Sequence, residues 1–334
     1  MIVTRSPLRI SLAGGGTDLK SYYTEFEGHV ISLAIDKYVY VTLNKAFLDG
    51  IRFAYSETET VTNARFLRHR IGKAVLGSYS IESGLEITTV ADVPSHGTGL
   101  ASSSAFTAAL IKALSVSQGK DLSKNLLAEK VCNIEIDKLK APIGKQDQYA
   151  SVYGGLNSIN FFKNEDVQVQ AINLGSGELT KFENSIFLIY TGISRSTNDV
   201  LRDMEIRNSK NKDKHNSNLH ILKSNARDMQ ESLIKMDLKN MGSILNESWL
   251  IKKKINNGAT NSFIDGIYQK AIELGVYGGK LLGAGAGGFL FFVCDPDQRA
   301  TILQKLDCKF ILPKIDFSGT TVLYQDVVKS VRRV

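Results

Sequence analysis

The chain has few of the residues that staple or interrupt a fold. Its 334 residues include three cysteines, five prolines and one tryptophan. Cys132, Cys294 and Cys308 lie far apart with no CxxC pair, which supports neither a disulfide framework nor a zinc site and fits a reducing cytoplasm. No apolar run approaches the roughly 18–20 residues that a membrane span requires, so no membrane partner is expected. The opening stretch MIVTRSPLRISLAGGG has no long apolar segment of the kind a secretory signal needs. A basic block is missing too. The 41 Lys and Arg are dispersed among 34 Asp and Glu, so a net charge of +7 reads as attraction for anions such as nucleotides and sugar phosphates rather than as a nucleic-acid footprint. Two phosphate-binding signatures are absent: no stretch reads G-x-x-x-x-G-K-[ST], and the protein-kinase set does not occur. Gly283, Gly285 and Gly288 satisfy GxGxxG, but a helical pattern precedes them and FLFFV follows, the reverse of the order a dinucleotide site needs.

What the chain does have is VPSHGTGLASSSAFTAALIKAL (93–114), two glycines and three consecutive serines between a strand pattern and a helix pattern. The first amides of a helix lack intrahelical partners, and the helix dipole puts partial positive charge there. Gly97 and Gly99 let the backbone come close to an anion, and Ser102, Ser103 and Ser104 add hydroxyls for phosphate oxygens or a magnesium ion. A serine N-cap with a flexible lead-in is the plainer alternative, but it needs one serine, not three plus GTG.

Three further segments carry chemistry-bearing residues. In the helix predicted over 123–139, Glu135 falls on an apolar stripe with Ala128, Cys132 and Leu139, and an inward carboxylate is costly unless paired or metal-bound. Asp147 follows 12 residues later, after a proline and a glycine, either as a reactive carboxylate or as the N-cap of a short helix from Gln148. RSPLRISLAGGGTDL places Arg9 on a strand and then a glycine turn ending in Asp18, whose carboxylate suits two neighbouring hydroxyls of a polyol. KLLGAGAGGFLFF reads as a tight helix-to-strand connection that also permits close backbone approach.

The length suggests two domains. Strand patterns cover 2–12, 29–47 (one strand or two), the GLEITTVADVPS segment, GGLNSINFF, 184–194 and 320–325; helical patterns cover 219–236, 238–256 and 261–275. The fold class is α+β, with a domain boundary near 165–185.

PLRISLAGGGTD, GTGLASSSA and KLLGAGAGGF, in this order and spacing, resemble the three motifs of the GHMP kinase superfamily, from about residue 2 to about 324. The resemblance implies a ribosomal-protein-like β/α domain over 1–175, a ferredoxin-like α+β domain over 176–334 and an active site in the cleft between them. GGGTD, AIDKYVYV, YSETE and YTGISRS are most similar to the branch that phosphorylates the anomeric hydroxyl of a heptose 7-phosphate. That implies ATP and Mg2+ as cofactor and ion, and ATP and a small sugar phosphate as the partners, with no nucleic acid. By the same resemblance, Gly97, Thr98, Gly99, Leu100, Ala101, Ser102, Ser103 and Ser104 cradle the ATP phosphates; Ser103 and Glu135 hold magnesium. Asp147 orients or deprotonates the sugar hydroxyl, with Arg9 beside it. Gly15, Gly16, Thr17 and Asp18 meet the sugar. Arg195 is assigned to the 7-phosphate by position and chemistry, with Lys37 and Lys280 as competitors. Ala101 and Ala286 stand where relatives usually carry glycine, and His96 lengthens the second motif by one residue. A fucose- or galactose-type sugar-1-kinase is the nearest alternative. A nucleic-acid-binding protein sharing the first domain's fold is the alternative of another class.

Overall fold

A computed structural model describes residues 1–94, 97–193, 212–256, 258–283 and 285–326. The apolar runs of the first 45 residues form two antiparallel strands, β1 (Ile2–Ala13) and β2 (Gly28–Lys45), with α1 (Lys20–Phe26) between them. HVISLAIDKYVYVTLNK, rich in β-branched and aromatic side chains that suit a pleated surface, is a single strand. Its length lets it serve two neighbours. The short β3 (Ile51–Ala54) and β4 (Thr58–Val61) form a hairpin, and α2 (Arg70–Ser78) leads to β5 (Leu85–Ala91), which lies parallel to β3 and pairs with the second half of β2.

Next come α3 (Ser102–Ser117), α4 (Lys124–Cys132) and α5 (Gln146–Tyr153). The first half of β2 takes β6 (Leu156–Phe161), which pairs in turn with β7 (Val167–Ala171). Helix α3 is buried on nearly every face, as its continuous apolar sequence requires, and packs on β1 and β2. Helix α4 is capped by Ser123, whose side chain accepts from Leu126 N. The helix expected to run to 139 changes character at Asn133: residues Asn133–Lys138 form a π turn, a feature that often marks functional positions.

The second sheet has four strands in the order β11-β8-β10-β9: β8 (Ile186–Tyr190), β9 (Gly278–Leu281), β10 (Phe289–Val293) and β11 (Phe310–Ile311). All five residues of FLFFV are buried because both faces of the sheet are covered. Leu290 and Phe292, with Phe187 and Ile189, face one core around Trp249; Phe289, Phe291 and Val293 face the core shared with Leu8, Ile10 and Leu33 of the first sheet. The helices are α6 (Ser176–Ser185), α7 (Lys212–Lys235), α8 (Leu238–Ile255), α9 (Ser262–Glu273) and α10 (Arg299–Leu306). Leu219 and Leu222 of α7 pack with Tyr22 and Ile251, which lays α7 over the turn after β1.

The last strand, β12 (Thr321–Gln325), returns to the edge of the first sheet and pairs with β1. This segment, assigned by sequence to the second domain, therefore belongs by pairing to the first sheet.

Candidate active site

The glycine–serine loop lies where the two sheets meet. Gly97, Gly99 and Ala101 adopt left-handed backbone, with φ of +67°, +75° and +62°. The N-cap of α3 is Ala101, with no side-chain capping bond, so the serine-cap alternative does not hold. The first-turn amides of Ser102 to Ser104 are thus left for another acceptor. Leu100 is fully buried, and its carbonyl accepts from Arg9 N at 3.0 Å, pinning the loop to β1. Thr98 is buried with Oγ1 3.3 Å from Ser102 Oγ, whereas Ser103 is exposed.

The third glycine segment backs this loop directly. A Cβ on Gly283 would lie 2.4 Å from Gly99 Cα, and one on Gly288 would lie 2.4 Å from Thr98 O. The close approach suggested by KLLGAGAGGF is therefore made to the loop itself, backbone against backbone.

Arg9, buried on β1, joins the loop to Asp147. Its Nη1 donates to Gly99 O at 2.7 Å, while Nε and Nη2 donate to Asp147 Oδ1 at 2.8 and 2.6 Å. Asp147 sits in the first turn of α5, which starts at Gln146, so the alternative of an N-cap at Asp147 is corrected: Lys145 occupies that position. The cap is supplied from a distance. Asp18 Oδ2 accepts from Gln146 N at 3.1 Å and Oδ1 accepts from Gly16 N at 2.9 Å, so this carboxylate ties the glycine turn to the start of α5. Burial, then the charge of Asp147, raises the Asp18 pKa. Thr17 is fully buried with its hydroxyl 2.8 Å from Gly14 O and 3.0 Å from His29 O, accepting from His29 N at 3.1 Å. Its side chain locks the turn, which leaves the partly exposed Gly15 and Gly16 to face a ligand.

Glu135 lies on the π turn and is 2% exposed. Ser104 Oγ and Gln148 Nε2 donate to its Oε2 at 2.7 and 2.8 Å, and Thr107 Oγ1 donates to Oε1 at 2.9 Å. Burial pushes its pKa up to about 7 against the pull of these neutral donors, with the Asp147 charge adding to the rise. Ser104, not Ser103, is the serine bonded to Glu135. Among the described residues no group of three or more His, Cys, Asp or Glu could hold a metal ion alone. Magnesium usually takes one or two carboxylates together with phosphate oxygens and water, however. A buried carboxylate bonded to three neutral donors, beside the unpartnered amide oxygen of Gln148, fits one corner of such a set.

Two cations complete the centre. Lys252 Nζ donates to Leu281 O at 3.1 Å and to Gly283 O, and Lys280 Nζ donates to Leu12 O at 3.1 Å. Sequence reading missed Lys252, since one lysine in the run KKK carries no pattern; Lys280 was named only as a competitor. Lys37 bonds its neighbour Asp36. Arg195 lies outside the described residues.

The loop, the Arg9–Asp147 pair and the buried glutamate sit together in a two-sheet frame that defines a phosphotransferase class. Residues 60–155 match the GHMP kinases N terminal domain and residues 229–312 the GHMP kinases C terminal domain. The chain belongs to the GHMP kinase family and is an ATP-dependent kinase. A curated relative, the D-glycero-alpha-D-manno-heptose 7-phosphate kinase of Campylobacter jejuni, is 31% identical over 317 residues, spanning 91% of this chain and 93% of the relative. A crystal structure of a D-glycero-D-manno-heptose 1-phosphate kinase from Bacteroides thetaiotaomicron superposes with a TM-score of 0.80 at 23% identity, covering 98% of this chain and 100% of that one. A galactose complex of Lactococcus lactis galactokinase superposes with a TM-score of 0.71 at 17% identity, covering 96% and 94%. Among the described residues, no helix is long and apolar enough to cross a membrane.

Proposed function

We propose that the protein transfers the γ-phosphoryl group of ATP to the anomeric hydroxyl of D-glycero-D-manno-heptose 7-phosphate, giving the 1,7-bisphosphate and ADP. The observation that carries the substrate is the 31% identity to a heptose 7-phosphate kinase across nine-tenths of both chains. The geometry supports the chemistry. Phosphoryl transfer asks chiefly for alignment and for neutralisation of charge on the moving group. The amides of residues 97–104 hold the ATP phosphates at the start of α3. Asp147 orients the sugar hydroxyl and takes its proton, and Arg9 fixes Asp147 through the 2.6 and 2.8 Å bonds while holding the loop at Gly99 O. Asp18, with Gly15 and Gly16, presents hydrogen-bonding groups to the sugar; Thr17 contributes by locking that turn. Glu135, with Ser103 or Ser104, would hold magnesium, which when bound neutralises phosphate charge. The active site lies between the unit of residues 1–175 and that of 176–334, and Arg195 is assigned to the 7-phosphate.

The test is ADP release over a panel of free hexoses, heptoses and their terminal phosphates. Heptose 7-phosphate should be turned over with the highest kcat/KM, and the free heptose poorly. A preference for unphosphorylated galactose or fucose would replace this substrate while leaving the kinase chemistry in place.

A further inference from the structure

The cations of the site are unevenly paired. Arg9 has Asp147, but among the described residues Lys252 and Lys280 have no carboxylate partner; their ammonium groups meet the carbonyls of Leu281, Gly283 and Leu12. The Lys252 ammonium also lies 6.0 Å from the Trp249 ring centroid. Both lysines are partly exposed, so a ligand can reach them. Burial and the charge of Arg9, joined for Lys280 by that of Lys252, lower both pKa values to about 7. Keeping cations desolvated without a counter-charge is costly, and the cost is recovered when an anion arrives.

Position says which anion. Lys252 bonds the carbonyl of Gly283, the residue whose backbone touches Gly99 of the phosphate loop, and Arg9 bonds Gly99 O from the other side. Lys280 bonds the carbonyl of Leu12, two residues before the glycine turn proposed to face the sugar. Arg9 and Lys252 therefore flank the phosphate loop, and Lys280 holds the strand that leads into the turn proposed to face the sugar.

We propose that Lys252 and Lys280 are catalytic residues that contact the γ-phosphoryl group of ATP and follow it to the acceptor. In that step the bond between the γ-phosphorus and the β,γ-bridging oxygen breaks, and ADP leaves with the bond's electron pair. A bond forms from phosphorus to the acceptor oxygen, and the acceptor's proton passes to Asp147. The lysines stay protonated and neutralise the equatorial oxygens, drawing a contribution from the second half of the chain into a centre otherwise built from the first. The inference rests on the chain being an ATP-dependent kinase, not on which sugar it uses.

Calorimetric titration of wild type, Lys252→Gln, Lys280→Gln and Lys252→Arg with magnesium ATP and magnesium ADP reads the γ-phosphate contact without any sugar. Each glutamine variant should bind ATP about 10- to 100-fold more weakly while ADP affinity stays within about twofold, and Lys252→Arg should keep most of the preference for ATP. With an acceptor identified by the panel, kcat of the glutamine variants should fall about 10²- to 10³-fold. Unchanged ATP and ADP affinities with only the KM for the sugar phosphate raised would assign the lysines to the acceptor's own phosphate and overturn the proposal. So would a parallel loss of ATP and ADP affinity accompanied by a lower melting temperature, which marks a packing role. Should Lys252→Gln fail to fold, Lys280→Gln and Lys252→Arg carry the same comparison. A panel in which no sugar is phosphorylated would remove the substrate assignment and leave the ATP-against-ADP comparison standing.

Discussion

On the side of the first sheet, Asp18, Glu135 and Asp147 are each held by donors from the protein itself: two backbone amides, three neutral side chains and the Arg9 guanidinium. On the side of the second sheet, among the described residues, Lys252 and Lys280 meet carbonyl oxygens and the face of an indole ring but no carboxylate. The first side is thus organised before any ligand binds, whereas the second is organised around a charge that the ligand brings. The same division appears in the backbone: the loop of the first half opens α3 without a side-chain cap, and the glycine turn of the second half packs against that loop.

The largest effect expected of this contrast falls on Asp147. Asp147→Asn should lower kcat by about 10²- to 10⁴-fold with nucleotide affinity preserved, because the loop proposed to hold the phosphates is also pinned by the Arg9 N to Leu100 O bond and by Gly99 packing on Leu282 and Gly283, neither of which involves that carboxylate. A matching loss of ATP affinity in titrations would place Asp147 on the nucleotide instead.

Next comes the seam between the halves. At Gly99 a methyl group would meet the Leu282 carbonyl at 2.6 Å in a left-handed backbone. Gly99→Ala should therefore cost more than about 1 kcal/mol in urea unfolding and weaken ATP and ADP alike. A variant of full stability and affinity would show that the seam is looser than the contact implies.

The two sides should also oppose each other in pH. Glu135 has a folded pKa raised to about 7, so the folded protein binds more protons than the unfolded chain below that pH, and stability falls as pH climbs from about 4.5 to 7. Lys252 and Lys280 have folded pKa values lowered to about 7, so the unfolded chain binds more protons above it, and stability rises from about pH 7 to 10.5. Together these groups place a shallow minimum near pH 7 in the ligand-free protein. Urea midpoints of wild type against Glu135→Gln should differ on the acid limb, and against Lys252→Gln on the alkaline limb. Identical limbs would contradict the burial of these charges.

The smallest effect expected concerns Ala101, left-handed at φ +62° where glycine carries no steric cost. Ala101→Gly should raise stability by up to about 1 kcal/mol. A loss would mean that the methyl packs usefully against the loop.

Much of this site was legible in residues 8–18, 97–104 and 147 because their chemistry is local: a glycine turn, a helix start and a carboxylate after Pro and Gly announce themselves within a few positions. Glu135 was singled out by its place on an apolar stripe, but the π turn that carries it left no mark in the local pattern. Which serine bonds Glu135 was not legible either: one step along a helix turns a side chain through about 100°, so the bond from Ser104 depends on how α3 is set against that turn. Lys252 was invisible because its partners come from residues 281 and 283, about thirty positions away across the second sheet. In the fold, the long strands and the α7 to α9 helices follow their hydrophobic periods, whereas β3, β4 and β7 have four or five residues each, too short for a period to declare itself. The return of β12 to the first sheet pairs Thr321 with Arg5 and Gln325 with Ile2, the far end of the described chain with its start, and no local pattern encodes it.

The most direct measurement is a crystal structure of the protein with magnesium, a non-hydrolysable ATP analogue and heptose 7-phosphate. The account predicts the β- and γ-phosphates against the amides of residues 97–104, Asp147 within hydrogen-bonding distance of the anomeric hydroxyl, and the Lys252 ammonium on a γ-phosphate oxygen. Phosphates bound away from that helix start, or Asp147 turned from the sugar in the closed complex, would contradict it.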